Sequence, residues 1–188
     1  MKKLLFILSV LFASFCVSGC SKDDDDFNPN AIPPVSLANG TITDFFNSEL
    51  PELHSSSDVR RYTKSFFYDP NSYGGMCIKE NMAYVINSRQ ELADVYLGDK
   101  ELPVIDFDRY TLIIGQQILP YLGFYVAKKE LLAGDEGLIL HLYARNDGEL
   151  LPCALQNLYF WGLYPKQSQK TITVNVIEEY TNRPDKQK

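Results

Sequence analysis

The sequence predicts an α+β domain: a curved or partly closed antiparallel sheet of about six strands with one short packed helix, a mainly β fold being the alternative. Three observations carry this expectation. From Leu102 onward, apolar residues recur with a period of two in segments rich in β-branched and aromatic residues. One well-signalled helix, opening at Ser88, precedes them. The connections are short and hold turn residues, as between hairpin-linked strands.

The elements follow in order. "TITDFFNSEL", Thr41 to Leu50, has a weak helical pattern that Pro51 ends. "HSSSDVRRYTKSFFYDPNSYGG" reads as irregular, because its serines and Asp69-Pro70-Asn71 supply turn chemistry. "MAYVINS" reads as a strand and leads into Ser88-Arg89-Gln90-Glu91, a capping box. There the Ser88 side chain can accept the Glu91 backbone N–H while that carboxylate reaches back. Leu92, Val95 and Tyr96 share a face at helical spacing, so a helix is expected from Arg89 to Leu97, stopped by Gly98. Strands are then expected at "PVIDF", "YTLIIGQQIL", "YLGFYVAKKELL", "GLILHLYAR", "LQNLYFWGLYP" and "KTITVNVIEEY". In "GLILHLYAR", Leu138, Leu140, Leu142 and Ala144 fall on a core side, with Ile139, His141, Tyr143 and Arg145 on a wet side. The last two segments, joined by Pro165 to Gln169, read as a closing hairpin.

Residues 1–19 contain Lys2 and Lys3, an uncharged run from Leu4 to Val17, and Ser18-Gly19 before Cys20. That run is shorter than the ~20 residues that span a bilayer, so it reads as a secretory signal. Four adjacent aspartates, Asp23 to Asp26, cannot pack together, and "FNPNAIPPVSLANG" carries three prolines and no charge. Residues 20–40 are therefore expected to be a disordered tether, able to extend at most about 70 Å from Ser21 to Gly40. One domain is expected over 41–180, with 181–188 a flexible tail; this is long enough for a sizeable core and too short for two ordinary domains.

Composition excludes some classes. The chain has 18 basic and 24 acidic residues, and loss of Lys2 and Lys3 with the signal leaves a balance of −8. Such a surface does not suit nucleic acid, whose binding requires Lys and Arg to neutralise phosphates. Of four cysteines, Cys16 lies in the signal and Cys20 directly after it, leaving Cys77 and Cys153 in the expected domain. Both a disulfide and two buried free thiols fit these residues; a bridge would stabilise by between about 3 and 4.7 kcal/mol in the chain-entropy account.

The familiar chemistry is mostly missing. There is no G-x-S-x-G, H-E-x-x-H, C-x-x-C or glycine-rich phosphate loop, and no cofactor or metal is expected. His54 lies in a serine-rich stretch, and His141, on the wet side of its strand, needs an orienting acceptor that Arg145 cannot supply. "DPNSYGGMCIKE" matches a calcium loop at Asp69, Asn71, Gly74 and Glu80, but Tyr73 and Pro70 stand against it and it reads as a turn. Asp106 and Asp108, beside Arg109, read as a turn with an ion pair. In the penultimate strand Leu155, Asn157, Tyr159, Trp161 and Leu163 alternate onto one face, with Leu158, Phe160 and Tyr164 on the other. Core packing on both faces explains this pattern; a ligand platform of Tyr159 and Trp161 is the competing reading.

Three resemblances give these features a setting. Val17-Ser18-Gly19-Cys20 resembles the lipobox of bacterial lipoproteins, which implies cleavage before Cys20, lipidation of its sulfur and a membrane anchor. Ser21-Lys22-Asp23-Asp24-Asp25-Asp26 resembles the acidic export signal of surface-exposed Bacteroidetes lipoproteins, implying an outer-membrane, cell-surface address. "VINSRQELADVY", "LPVIDFDRYTLIIGQQI" and "LQNLYFWGLYPKQSQKTITVNV" together resemble the C-terminal domain of the protease-complex subunit PrcB, over about Tyr84 to Val176. That resemblance implies a non-enzymatic role in binding or stabilising another exported protein. A glycan-binding surface lipoprotein, using Tyr159 and Trp161, is the alternative.

Overall fold

A computed structural model describes residues 28–36, 40–50, 52–55, 58, 82–96, 98–148 and 155–181. The signal segment, Cys20, the aspartate run, the calcium-loop match at 69–80, Cys77 and Cys153 lie outside the described residues.

Two helices and six strands are described: α1 (Gly40–Glu49), β1 (Ala83–Ile86), α2 (Arg89–Val95), β2 (Tyr110–Leu119), β3 (Tyr125–Ala133), β4 (Leu138–Asn146), β5 (Gln156–Pro165) and β6 (Ile172–Tyr180). The α+β expectation holds. The strands form two three-stranded sheets, ordered β1-β2-β5 and β3-β4-β6, and they do not close into one. All pairs are antiparallel except β4 with β6, which is parallel.

The alternation read from the sequence explains the layers. Ile113 of β2, Leu158, Phe160 and Tyr164 of β5, Leu131 of β3, and Leu138, Leu140, Leu142 and Ala144 of β4 form one core between the sheets. Leu112 and Ile114 of β2 and Leu163 of β5 point the other way, into a second core beneath Ile42, Phe45, Phe46 and Leu92 of the helices. The first sheet is thus covered on both faces, which is why β2 reads as a nearly unbroken apolar run. At its centre Gly115 pairs with Phe160, whose ring occupies the space a Cβ at Gly115 would take.

Helix α1 is more definite than its sequence signal. Ile42, Phe45, Phe46 and Glu49 recur at i, i+3, i+4 and i+7 and are all buried, so the helix is held by packing of one face. Helix α2 opens as expected: Ser88 Oγ accepts the Glu91 N–H at 3.1 Å, and Glu91 Oε2 accepts the Asn87 N–H at 2.6 Å. It ends before Tyr96, which is already extended (φ −104°, ψ 116°).

Three expectations need correction. "PVIDF" is not a strand: Pro103 has no N–H to give a ladder, Val104 is 85% exposed, and the segment runs into a turn where Asp106 O accepts the N–H groups of Arg109 and Tyr110. The β5–β6 hairpin does not form. After Pro165 the chain crosses the end of the first sheet, with Lys166 N–H donating to Arg109 O and Gln167 N–H to Thr111 Oγ1, and reaches the second sheet beside β4. Finally, part of the supposed tether is docked. Ile32 forms a bridge with Leu131 of β3, and Val35 N–H donates to Leu163 O of β5 at 2.7 Å, so the chain is fixed well before Gly40.

Candidate functional site

Three groups of polar side chains stand out, two of them built from elements distant in sequence and one across the β3–β4 hairpin. The first lies between the facing edges of β3 and β5. Lys129 Nζ donates to Glu52 Oε1 at 2.5 Å, to Glu52 Oε2 at 2.7 Å and to Trp161 O at 2.6 Å, while Trp161 N–H donates to Glu52 Oε2 at 3.0 Å. Beside it the Val126 N–H donates to Leu53 O at 2.8 Å. An ion pair and a short extended segment thus do at this seam what a strand ladder does elsewhere. Both carboxylate oxygens of Glu52 are engaged, so exposed His54, whose Nδ1 lies 3.7 Å from Oε1, has no dedicated acid to orient it.

The second group lies on the outer face of the second sheet. Glu130, 6% exposed, pairs directly with His141 across β3 and β4. Its carboxylate accepts from Lys128 Nζ at 3.0 Å and from the Tyr143 hydroxyl at 2.9 Å, and His141 Nδ1 lies 4.0 Å from Oε2. The hydrogen bond from Lys128 is the chief reason the Glu130 carboxyl is held below its ordinary value. Burial, then the neighbouring carboxylate, pushes the Tyr143 hydroxyl up. At that distance His141 makes no hydrogen bond to Glu130, whose two oxygens are taken by Lys128 and Tyr143, so it gains no orienting acid there. The third residue of its row, Asn175 of β6, is not a nucleophile. Arg145 is occupied by Glu179 at 2.9 Å.

The third group ties the helices together: Glu49, 5% exposed, accepts from Lys100 Nζ at 2.5 Å and from the Tyr96 hydroxyl at 3.1 Å. Among the described residues no buried side-chain polar atom lacks a partner, and no cluster of three or more His, Cys, Asp or Glu is assembled.

The remaining sequence candidates are placed as follows. Tyr159 and Trp161 do share a face of β5, but it is the face beneath the helices, and Phe46 of α1 stacks on the Trp161 ring at 4.9 Å and 27°. The platform residues act as core, the favoured sequence reading. Asp106 closes its turn, its Oδ1 accepting the Asp108 N–H at 3.2 Å; Arg109 lies over the Tyr110 ring at 5.4 Å instead of pairing with the acids.

Sequence reasoning missed Glu52, Lys129 and Glu130. For Glu130 a signal existed. If Gly134 to Gly137 is taken as a hairpin turn, counting outward from Ala133 opposite Leu138 brings Glu130 opposite His141. Glu52 gives no such signal, because its partners lie 77 and 109 residues away.

Exposed apolar residues complete the inventory. Four large apolar residues are exposed among the described residues: Met82 (44%) before β1, Val104 (85%) before the Asp106 turn, Tyr121 (36%) after β2 and Leu155 (71%) before β5. Because Leu119 pairs with Gln156, Tyr121 and Leu155 flank the same end of the β2–β5 ladder. Ile32 and Val35 join the fold near Leu131 and Leu163, at the other end. Compared with family models, curated proteins and solved structures, the chain matches none.

Proposed function

We propose that the protein is a lipid-anchored outer-membrane protein, displayed at the cell surface, that binds or stabilises another exported protein without catalysis of its own. The observation that carries this reading is the placement of Tyr121 and Leu155. Two large apolar side chains stand in solvent at the end of the sandwich remote from the N-terminal attachment, where a partner can reach them. The lipobox-like Cys20 and the resemblance to the PrcB C-terminal domain support the same reading. The ionisable clusters are consistent with it, since Glu52, Glu130 and Glu49 are each consumed by internal partners. A glycan platform at Tyr159 and Trp161 gains no support, because Phe46 covers the Trp161 ring.

The test is a photo-crosslinking amino acid placed at Tyr121 or Leu155, with Glu136 at the opposite end as control, in intact cells making the lipidated chain. Discrete covalent protein adducts from 121 and 155, absent from 136, are expected. Adducts that are missing from all three positions, or identical at all three, would overturn the proposal.

A further inference from the structure

The anchor reading acquires a geometric consequence once the true start of the fold is known. Asn28 to Ala31 form a turn, with Ala31 N–H donating to Asn28 O at 3.0 Å, and Ile32 then pairs antiparallel with Leu131. Because the pairing is antiparallel, the chain upstream of Ile32 points toward Ala133 and the 134–137 turn. The same end of the molecule holds the turn after Asp106 and the connection after Pro165. Tyr121, Leu155 and the start of β3 lie at the opposite end.

Only eight residue steps separate Cys20 from Asn28. Whatever conformation they adopt, that length of chain spans at most roughly 29 Å. The body is itself roughly 30 Å long, from the rise of the ten-residue strands β2 and β5. To stand the body inverted, with Tyr121 against the membrane and the strands upright, the attachment end would have to be held a full body length above the headgroups, with the chain drawn out to its limit. A tether running to Gly40 would have allowed every orientation; this one does not.

Taking Cys20 as lipidated, on which this step rests, we infer that the fold has a preferred polarity on the membrane: the end formed by the 134–137 turn and the 166–170 connection is held nearer the lipid surface, and the inverted placement, with Tyr121 and Leu155 against the lipid, is disfavoured.

The experiment uses the full lipidated chain reconstituted into phosphatidylethanolamine and phosphatidylglycerol vesicles. A photo-crosslinking amino acid is placed at Glu136, at Asp135 or at Tyr121, and lipid adducts are counted by mass spectrometry. Positions 135 and 136 should give at least five-fold more lipid adduct than 121, and inserting twenty Gly/Ser residues between Phe27 and Asn28 should bring the three toward parity. Equal or reversed yields on acylated protein that floats with the vesicles would overturn the polarity while leaving the anchor standing. A bare Cys20 thiol in the same mass spectra, with no flotation, would overturn both.

Discussion

Glu130 shows how one residue changes meaning between sequence and structure. In the sequence it is one of several charges in "AKKELL"; in the fold it is a carboxylate nearly closed off from solvent, on the sheet face turned away from the core between the sheets, held by Lys128 and Tyr143. Its alternation with Lys128 was legible, whereas its pairing with His141 required the hairpin register. Because its folded-state pKa is depressed below the ordinary 4.5, the unfolded chain takes up its proton first as the pH drops. The stability that Glu130 contributes is therefore fully present above the ordinary carboxylate value and disappears as the pH falls through the folded value. Glu130→Gln should accordingly be less stable than the parent near neutrality and should lose less stability between about pH 5 and pH 3, as read from urea midpoints. Parallel acid limbs for the two proteins would show that Lys128 and Tyr143 do not hold this carboxylate as described.

At the scale of elements, period-two alternation was enough to find β2, β4, β5 and β6, because the first three bury one or both faces, β6 half-buries Ile172, Val174 and Val176, and the side chains record it. Partner choice was not recorded. β5 and β6 are neighbours in sequence and read as a hairpin, but the edge of β5 is held by Glu52, Lys129 and Val35, and the N–H groups of Lys166 and Gln167 find acceptors on the β2 side. β6 then pairs parallel with β4, an outcome set by contacts no local pattern encodes. The weak pattern of α1 likewise hid its importance: Phe46 is fully buried and lies flat on Trp161, the one tryptophan of the chain. Phe46→Ala should cost about 3–5 kcal/mol and shift the tryptophan emission to longer wavelength as water reaches the indole. Unchanged emission in a correctly folded variant would mean that α1 does not cover that ring.

The described residues form a helix layer, a sheet buried on both sides and a second sheet packed on the first by one face, and the N-terminal segment crosses the seam between the sheets. That segment was read as tether because three prolines and no charge look like a linker; Ile32 and Val35, the residues that dock, are too few to make a period. Docking makes 28–36 part of the cooperative unit. Two soluble chains, one beginning at Asn28 and the other at Gly40, differ by two backbone hydrogen bonds to the sheets, at Leu131 and Leu163, and by the packing of Ile32 and Val35. Each such hydrogen bond is worth about 0.5–1.5 kcal/mol net, and the packing of two half-buried side chains is largely offset by the entropy of ordering the segment. The shorter chain should therefore be about 2 kcal/mol less stable, which for a domain of this size lowers the melting temperature by about 4–8 °C. Equal melting temperatures would mean that the segment does not hold to the sheets in solution; the reach from Cys20 would then lengthen, and the polarity on the membrane would be lost with it.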